Sequence, residues 1–240
     1  MTELLIVLIA AHLIADFPAQ SNWMIARKQN LLFLLAHILI VAVVTIVLLG
    51  SFPPILLAIL IGTHLAMDAV KVYLLKDTIG SFLLDQVVHI GVIIVLAFAF
   101  PATLGQSWWP DILSPEDISI ALNLLVITSA VIAAIPAGGI LIQKAMQPFS
   151  DQLAADEGTG LSGGGKYIGY LERSLIILLV LSGHPEGVGF LIAAKSILRF
   201  GEINKSNNRK MSEYIIIGTF MSFGWALLVA FLSKTTLQLL

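Results

Sequence analysis

The sequence contains no cysteine and few charged residues. Among its 240 residues there is no Cys, and Asp, Glu, Lys and Arg make up 12% of the chain, against about 25% in an average soluble domain. The absence of Cys excludes disulfides, iron–sulfur clusters, thiolate zinc sites and Cys nucleophiles. The net charge is −2 and the sequence has no basic tail or stripe, so a nucleic-acid partner is not expected.

Apolar residues dominate instead. They form 58% of the chain, and the mean hydropathy is +0.96. A soluble domain of this size cannot hide so much apolar surface, and a disordered chain is far more polar. The apolar runs are continuous and helix-length, unlike the short alternating segments of a membrane β-barrel. We therefore predict an all-α, polytopic membrane protein with a single integral membrane domain over residues 1–240.

Hydropathy predicts eight transmembrane segments. Lys and Arg occur almost only in alternate connections, which places those connections in the cytosol and both chain termini outside. We expect residues 1–101 to form a bundle and residues 102–240 to close its cytosolic side with four further helices. The predicted segments are about 2–17, 31–50, 54–74, 82–101, 118–143, 167–183, 186–200 and 213–235.

The first half contains a short internal repeat. HLIAD at 12–16 is similar to HLAMD at 64–68, and the next His follows at the same distance in each copy, at His37 and His89. This pattern predicts two copies of one helical hairpin. The copies are separated by an even number of membrane crossings, so we expect them to run in parallel.

Ionisable residues form pairs within these helices. A spacing of four residues places both side chains of a pair on one helix face. Because the chain alternates direction, all three Asp are expected one turn nearer to the cytosol than their His partners. His37 should lie at comparable depth, with Gln20 and Lys71 about one turn closer to water. The pairs are His12/Asp16, His64/Asp68 and Asp85/His89.

Imidazole and carboxylate groups without thiolate favour a divalent Zn, Mn or Fe ion. Four His and three Asp exceed one tetrahedral site, so they predict either two ions, or one ion with some groups acting as supporting partners or as a base. An Asp–His pair can also hold membrane helices together without metal, but seven such groups at one depth cost much desolvation for packing alone. The predicted ligands are His12, Asp16, His37, His64, Asp68, Asp85 and His89. Among them His12, His64, His89 and Asp68 are favoured, with Asp16 and Asp85 next.

Further residues are predicted to act on the substrate. Asp85 or Glu172 is the expected general base. Cations and an amide at the cytosolic leaflet suit a phosphate or carboxylate group. These predicted anion-binding or substrate-binding residues are Gln20, Lys71, Arg173, Lys195 and Arg199.

A glycine-rich connection precedes the sixth segment. Residues 160–166 match the GxxxxGK pattern, but Tyr167 follows instead of Ser or Thr and no strand precedes the loop, so a Walker A site is rejected. The loop could still cradle a phosphate or serve as a flexible linker.

Several strings resemble a known family. HLIADF at 12–17, YLER at 170–173 and AAKSILRFGE at 193–202 resemble a bacterial multi-pass membrane family of unknown function, DUF3307. The resemblance implies a bacterial inner-membrane protein and supplies no activity.

The sequence is compatible with three functions. The first is a metal-dependent hydrolase or transferase that acts at the cytosolic leaflet on an amphiphilic lipid bearing phosphate or carboxylate. The second is a transporter or channel for a divalent metal or a small anion, although the polar groups stay within one leaflet instead of crossing the membrane. The third is a quinone-binding or lipid-binding sensor. The expected partner is a membrane lipid or amphiphilic substrate, and a homo-oligomer is compatible with the sequence.

Overall fold

The computed structural model describes residues 1–153, 163–206 and 209–240, with the side chains of residues 198–209 left out. The described chain is all-helical, with 82% helix and no strand, which confirms the predicted class. Residues 160–162 of the glycine-rich connection fall outside the described residues. The helices are α1 (Thr2–Asp16), α2 (Asn22–Ile25), α3 (Leu31–Leu49), α4 (Pro54–Tyr73), α5 (Ile79–Ala99), α6 (Pro115–Ile132), α7 (Gly138–Ser150), α8 (Gly164–Leu181), α9 (Gly187–Ser206) and α10 (Arg209–Leu237).

Five helical stretches within the described residues are long and apolar enough to cross a membrane, so the eight predicted spans are not confirmed. Helix α1 has 15 residues and measures about 22 Å, less than the roughly 30 Å of a hydrocarbon core. Helix α8 contains Lys166, Glu172 and Arg173, and the apolar part of α9 is short. The five stretches are Leu31–Leu49, Pro54–Tyr73, Ile79–Ala99, Pro115–Ser150 and Lys210–Leu237.

The chain divides into two compact units. Unit 1 comprises Met1–Ile132 with Leu240, and unit 2 comprises Ala133–Leu239. The division falls at the end of α6, so α6 belongs with the first four long helices.

Unit 1 is built around α1. Helices α1 and α4 each pack against both α3 and α5, and α1 also packs against α6. Nine of the 15 residues of α1 are buried, which explains why so short a helix is apolar nearly all round. The apolar core of unit 1 includes Leu4, Leu8, Leu49 and Leu56.

Local sequence signals determine where these helices begin and end. The Asn30 side chain accepts a hydrogen bond from the Leu32 amide at 2.9 Å and begins α3. Gly50 ends α3 with a φ of 61°, a left-handed conformation that favours glycine. Pro54 lies in the first turn of α4. Thr78 and Ser81 form a reciprocal capping box at the start of α5.

Unit 2 contains a π-helical segment at Ala133–Ala137, with Pro136 inside it. Proline has no amide hydrogen, so the local helix ladder loses a hydrogen bond. Side chains from other helices of the unit supply donors to this segment. The Trp225 indole donates to the Ala133 carbonyl at 2.9 Å, and Arg173 Nη2 donates to the Ile135 carbonyl at 3.2 Å.

Candidate metal centre

Four helices of unit 1 place polar side chains at the same end of the bundle. The last turns of α1 and the C-terminal part of α4 carry two of the predicted pairs, and the first turns of α3 and α5 carry the other groups. The chain reverses direction between neighbouring helices, so the end of one helix lies beside the beginning of the next. The side chains brought together are His12, Asp16, His37, His64, Asp68, Asp85 and His89.

These groups are almost completely removed from solvent. His37 is 0% exposed, Asp68 and Asp85 are each 1% exposed, and His64 is 3% exposed. The Asp16 side chain is 9% exposed. Burying a carboxylate or an imidazole costs free energy unless each polar atom finds a partner. The cluster therefore needs a balancing interaction.

Asp16, His37 and His64 have the spacing of ligands around a single ion, and Asp68 lies beside the two His. Asp16 Oδ1 lies 3.5 Å from His37 Nε2 and 3.3 Å from His64 Nε2. The two Nε2 atoms are 3.2 Å apart. Asp68 Oδ2 lies 3.4 Å from His37 Nε2 and 4.0 Å from His64 Nε2. Ligand atoms around a tetrahedral ion, bonded at about 2.0–2.1 Å, are about 3.3 Å apart. We call these four residues the tetrahedral set.

Three further groups flank the tetrahedral set. His89 Nδ1 lies 3.9 Å from Asp16 Oδ2 and 4.0 Å from Asp85 Oδ1. Its ring stacks on His64 with centroids 3.9 Å apart and planes 2° from parallel. Neither ring nitrogen of His89 has a hydrogen-bond partner. His12 Nδ1 also has none, and it lies 3.7 Å from Asp16 Oδ1.

Asp16 is the centre of the whole cluster. Its carboxylate lies within 3.9 Å of ring nitrogens from all four His. One oxygen faces the tetrahedral set and the other faces His89. A carboxylate can use its two oxygens for two ions, so this geometry is compatible with either one ion or two. His12, His64 and His89 also bring one ring nitrogen each within 4.8 Å of one another.

Two lysines neutralise two of the three carboxylates. Lys28, in the connection between α2 and α3, places Nζ 3.0 Å from Asp68 Oδ2. Lys71, one turn beyond Asp68 on α4, places Nζ 2.6 Å from Asp85 Oδ2. With neutral His, three Asp and two Lys give this cluster a formal charge of −1. An added divalent cation would change that charge to +1.

Sequence reasoning missed Lys28 and Gln86 as members of this site. Gln86 Oε1 lies 3.3 Å from His12 Nε2, and Gln86 Nε2 donates to Asp85 Oδ2 at 3.1 Å. Gln86 is a polar residue within an apolar helix, which could have indicated it. Lys28 belongs to a short connection, and its cationic type is the only available signal.

A small cavity borders the imidazole rings of His12, His64 and His89. The rest of its lining is mostly apolar and includes Leu8, Val41 and Leu60. Apolar walls around an ion exclude water and strengthen the electrostatic interactions inside the site.

Three of the five predicted substrate-binding residues, Arg173, Lys195 and Arg199, lie in unit 2, whereas Gln20 and Lys71 lie in unit 1. Arg173 is 4% exposed, and besides the Ile135 carbonyl it donates to Ser222 Oγ at 2.9 Å. Glu172, a predicted base, accepts a hydrogen bond from Lys195 Nζ at 2.8 Å. These contacts hold helices of unit 2 together. The side chain of Arg199 lies outside the described residues.

Unit 1 thus has the features of a helical membrane protein with a buried His/Asp centre. Residues 4–115 match the model of the family described as Protein of unknown function (DUF3307), which confirms the resemblance over this segment. All seven residues of the His/Asp cluster lie within the matched segment, whereas the YLER and AAKSILRFGE strings lie beyond it. No curated protein and no solved structure matches the chain.

Proposed function

We propose that the protein is a metal-dependent membrane enzyme, a hydrolase or transferase that acts on an amphiphilic substrate bearing phosphate or carboxylate. One observation carries the proposal. Asp16, His37 and His64 place one ligand atom each at mutual distances of 3.2 to 3.5 Å, close to the spacing around a bound Zn, Mn or Fe ion, and Asp68 Oδ2 lies 3.4 Å from His37 Nε2. Packing alone gives no reason for four helices to bury these groups at one point.

The residues of unit 1 divide into roles under this proposal. His37, His64, Asp16 and Asp68 hold the ion, with His12 and His89 available for a second ion or for orienting the first set. The ion supplies Lewis-acid chemistry to a phosphoryl or carbonyl oxygen. Asp85 is the proposed base, because its Oδ1 is buried without a hydrogen-bond partner while Lys71 holds Oδ2.

The proposal includes a membrane arrangement. The protein is placed in the bacterial inner membrane with eight crossings, both termini outside and the cluster facing the cytosol. The contacts of unit 1 support a hairpin repeat. His37 of the first hairpin lies 3.4 Å from Asp68 of the second, and His89 of the second lies 3.9 Å from Asp16 of the first. A two-fold axis along the membrane normal would exchange these contacts.

A turnover assay tests the enzymatic part of the proposal. Detergent-purified full-length protein, loaded with Zn, Mn or Fe, is incubated with phospholipids and lipid phosphates, and the products are identified by mass spectrometry. Turnover should be lost in His37→Ala and after chelation. It should persist in His184→Ala, a matched control whose side chain is 69% exposed. Metal uptake into proteoliposomes without any product would favour transport and contradict the enzyme.

A further inference from the structure

Lys28 and the ion of the proposed metal centre would compete for a single atom. Asp68 Oδ2 faces the two His of the tetrahedral set, at 3.4 Å from His37 Nε2 and 4.0 Å from His64 Nε2. The same oxygen accepts the hydrogen bond from Lys28 Nζ at 3.0 Å. An ammonium group and a divalent cation on one carboxylate oxygen repel each other strongly, because both Lys28 and Asp68 are largely buried and water screens them little. Metal binding would therefore release Lys28 from Asp68.

A released Lys28 needs a new partner close by. Its side chain is only 13% exposed, so water can solvate the ammonium group only in part. Metal binding also changes the formal charge of the cluster from −1 to +1. Both changes favour binding of an anion at this end of the bundle when the ion is bound. Without the ion, the cluster keeps its negative charge and anion binding is disfavoured.

A second donor near the end of α1 lacks an acceptor. Gln20 follows Asp16 by one helical turn in sequence, and its Nε2 is buried without a hydrogen-bond partner. An amide N–H in this state costs about 1–3 kcal/mol, and an anionic oxygen would satisfy it. Gln20 and Lys28 belong to the same connection between α1 and α3, and Lys28 lies directly beside the Asp68 carboxylate.

We propose that Lys28 and Gln20 form a phosphate-binding subsite that becomes available when a divalent ion binds the tetrahedral set. This inference rests on the proposed metal centre and adds the position and order of binding of the anionic group. The ion binds first and displaces the Lys28 ammonium. The phosphate then binds between the ion, Lys28 and Gln20. By thermodynamic linkage, phosphate also tightens metal binding by the same factor.

The experiment uses full-length protein in detergent, either loaded with Zn or Mn and freed of excess metal, or treated with a chelator. Isothermal titration measures the affinity for two probes, inorganic phosphate and dioctanoyl phosphatidate. We expect the loaded protein to bind at least one probe, at least about tenfold more tightly than the chelated protein. Phosphatidate binding alone identifies a lipid headgroup, and binding of both identifies phosphate as the recognised group. Loaded protein that binds neither probe overturns the inference.

Variants separate this role from a structural one. Lys28→Gln should weaken probe binding at least about tenfold, as expected for a lost charge-assisted hydrogen bond. It should also tighten metal binding, because the competing cation is gone. Lys28→Arg should restore probe affinity, and Lys76→Gln is a control with the same loss of charge at an exposed position. Unchanged probe affinity in Lys28→Gln, or weaker metal binding, overturns the inference. Absence of metal from wild type would instead overturn the proposed function.

Discussion

Replacement of His89 by Leu should show whether this imidazole serves a metal ion or only packs in the core. His89 is 4% exposed, and neither of its ring nitrogens has a hydrogen-bond partner. Its nearest carboxylate oxygens lie at 3.9 and 4.0 Å, beyond hydrogen-bond distance. A buried polar group without a partner costs about 1–3 kcal/mol. Leu has no such group, and the cavity beside the ring leaves room for its slightly larger side chain.

The difference in the free energy of unfolding between His89→Leu and wild type should therefore shift toward wild type when metal is added. Without metal, His89→Leu should equal or exceed wild type, by up to about 3 kcal/mol. With metal at a hundred times its Kd, wild type should gain about 2.7 kcal/mol. If His89 binds a metal ion or orients its ligands, the variant should gain much less.

Thermal unfolding in detergent, with and without chelator, measures both effects. His37→Leu is the matched comparison. His37 Nε2 lies 3.2 Å from His64 Nε2, so its loss leaves that buried nitrogen without a hydrogen-bond partner and should destabilise even the metal-free protein. The reasoning is refuted if metal-free His89→Leu is destabilised by 2 kcal/mol or more, since that result would give the imidazole a packing role.

Three predictions concern the rest of the fold, each measured by unfolding in detergent. Gly50→Ala should cost about 2 kcal/mol or more, because φ is 61° and an added Cβ would overlap the Trp109 indole; an unchanged stability would contradict this. Glu172→Gln should cost about 3 kcal/mol because the largely buried ammonium of Lys195 loses its counterion, and adding Lys195→Met should recover most of the loss; a double variant as unstable as Glu172→Gln would contradict this. Trp225→Phe should cost about 1 kcal/mol through the lost hydrogen bond to the π-helical segment, and a neutral effect would mean that water satisfies that carbonyl.

The sequence predicted the helical class well because continuous apolar runs have few alternative structures. Hydropathy predicted α1, α3, α4 and α5 to within three residues at each end, whereas the predicted segment 118–143 runs from α6 into α7. The number of spans was harder to predict. Hydropathy shows that α1 is apolar, but it cannot show that these apolar residues are buried against other helices. In α8, the charged residues make a membrane span less favourable.

The residues of the cluster could be predicted from their helical spacing, whereas the distances between their side-chain atoms could not. A spacing of four residues on alternating helices places the His and Asp at one depth. It cannot show which ring nitrogen faces which oxygen, because that depends on helix rotation and side-chain rotamers. Sequence reasoning favoured His12, His64 and His89 as ligands, together with Asp68. The structure gives the tightest spacing to His37 and His64 with Asp16 and Asp68. Lys28 could not be predicted as a member of the site, because it lies in a loop and a loop position has no helical periodicity.

The most direct test of the account is elemental analysis of detergent-purified wild type beside His64→Ala/Asp68→Ala and the control His184→Ala, with folding of all three verified. The account predicts one or two Zn, Mn or Fe ions per chain in wild type and in the control, and none in the double variant. Folded wild type without metal after supplementation, or a double variant that keeps its full metal content, would contradict it.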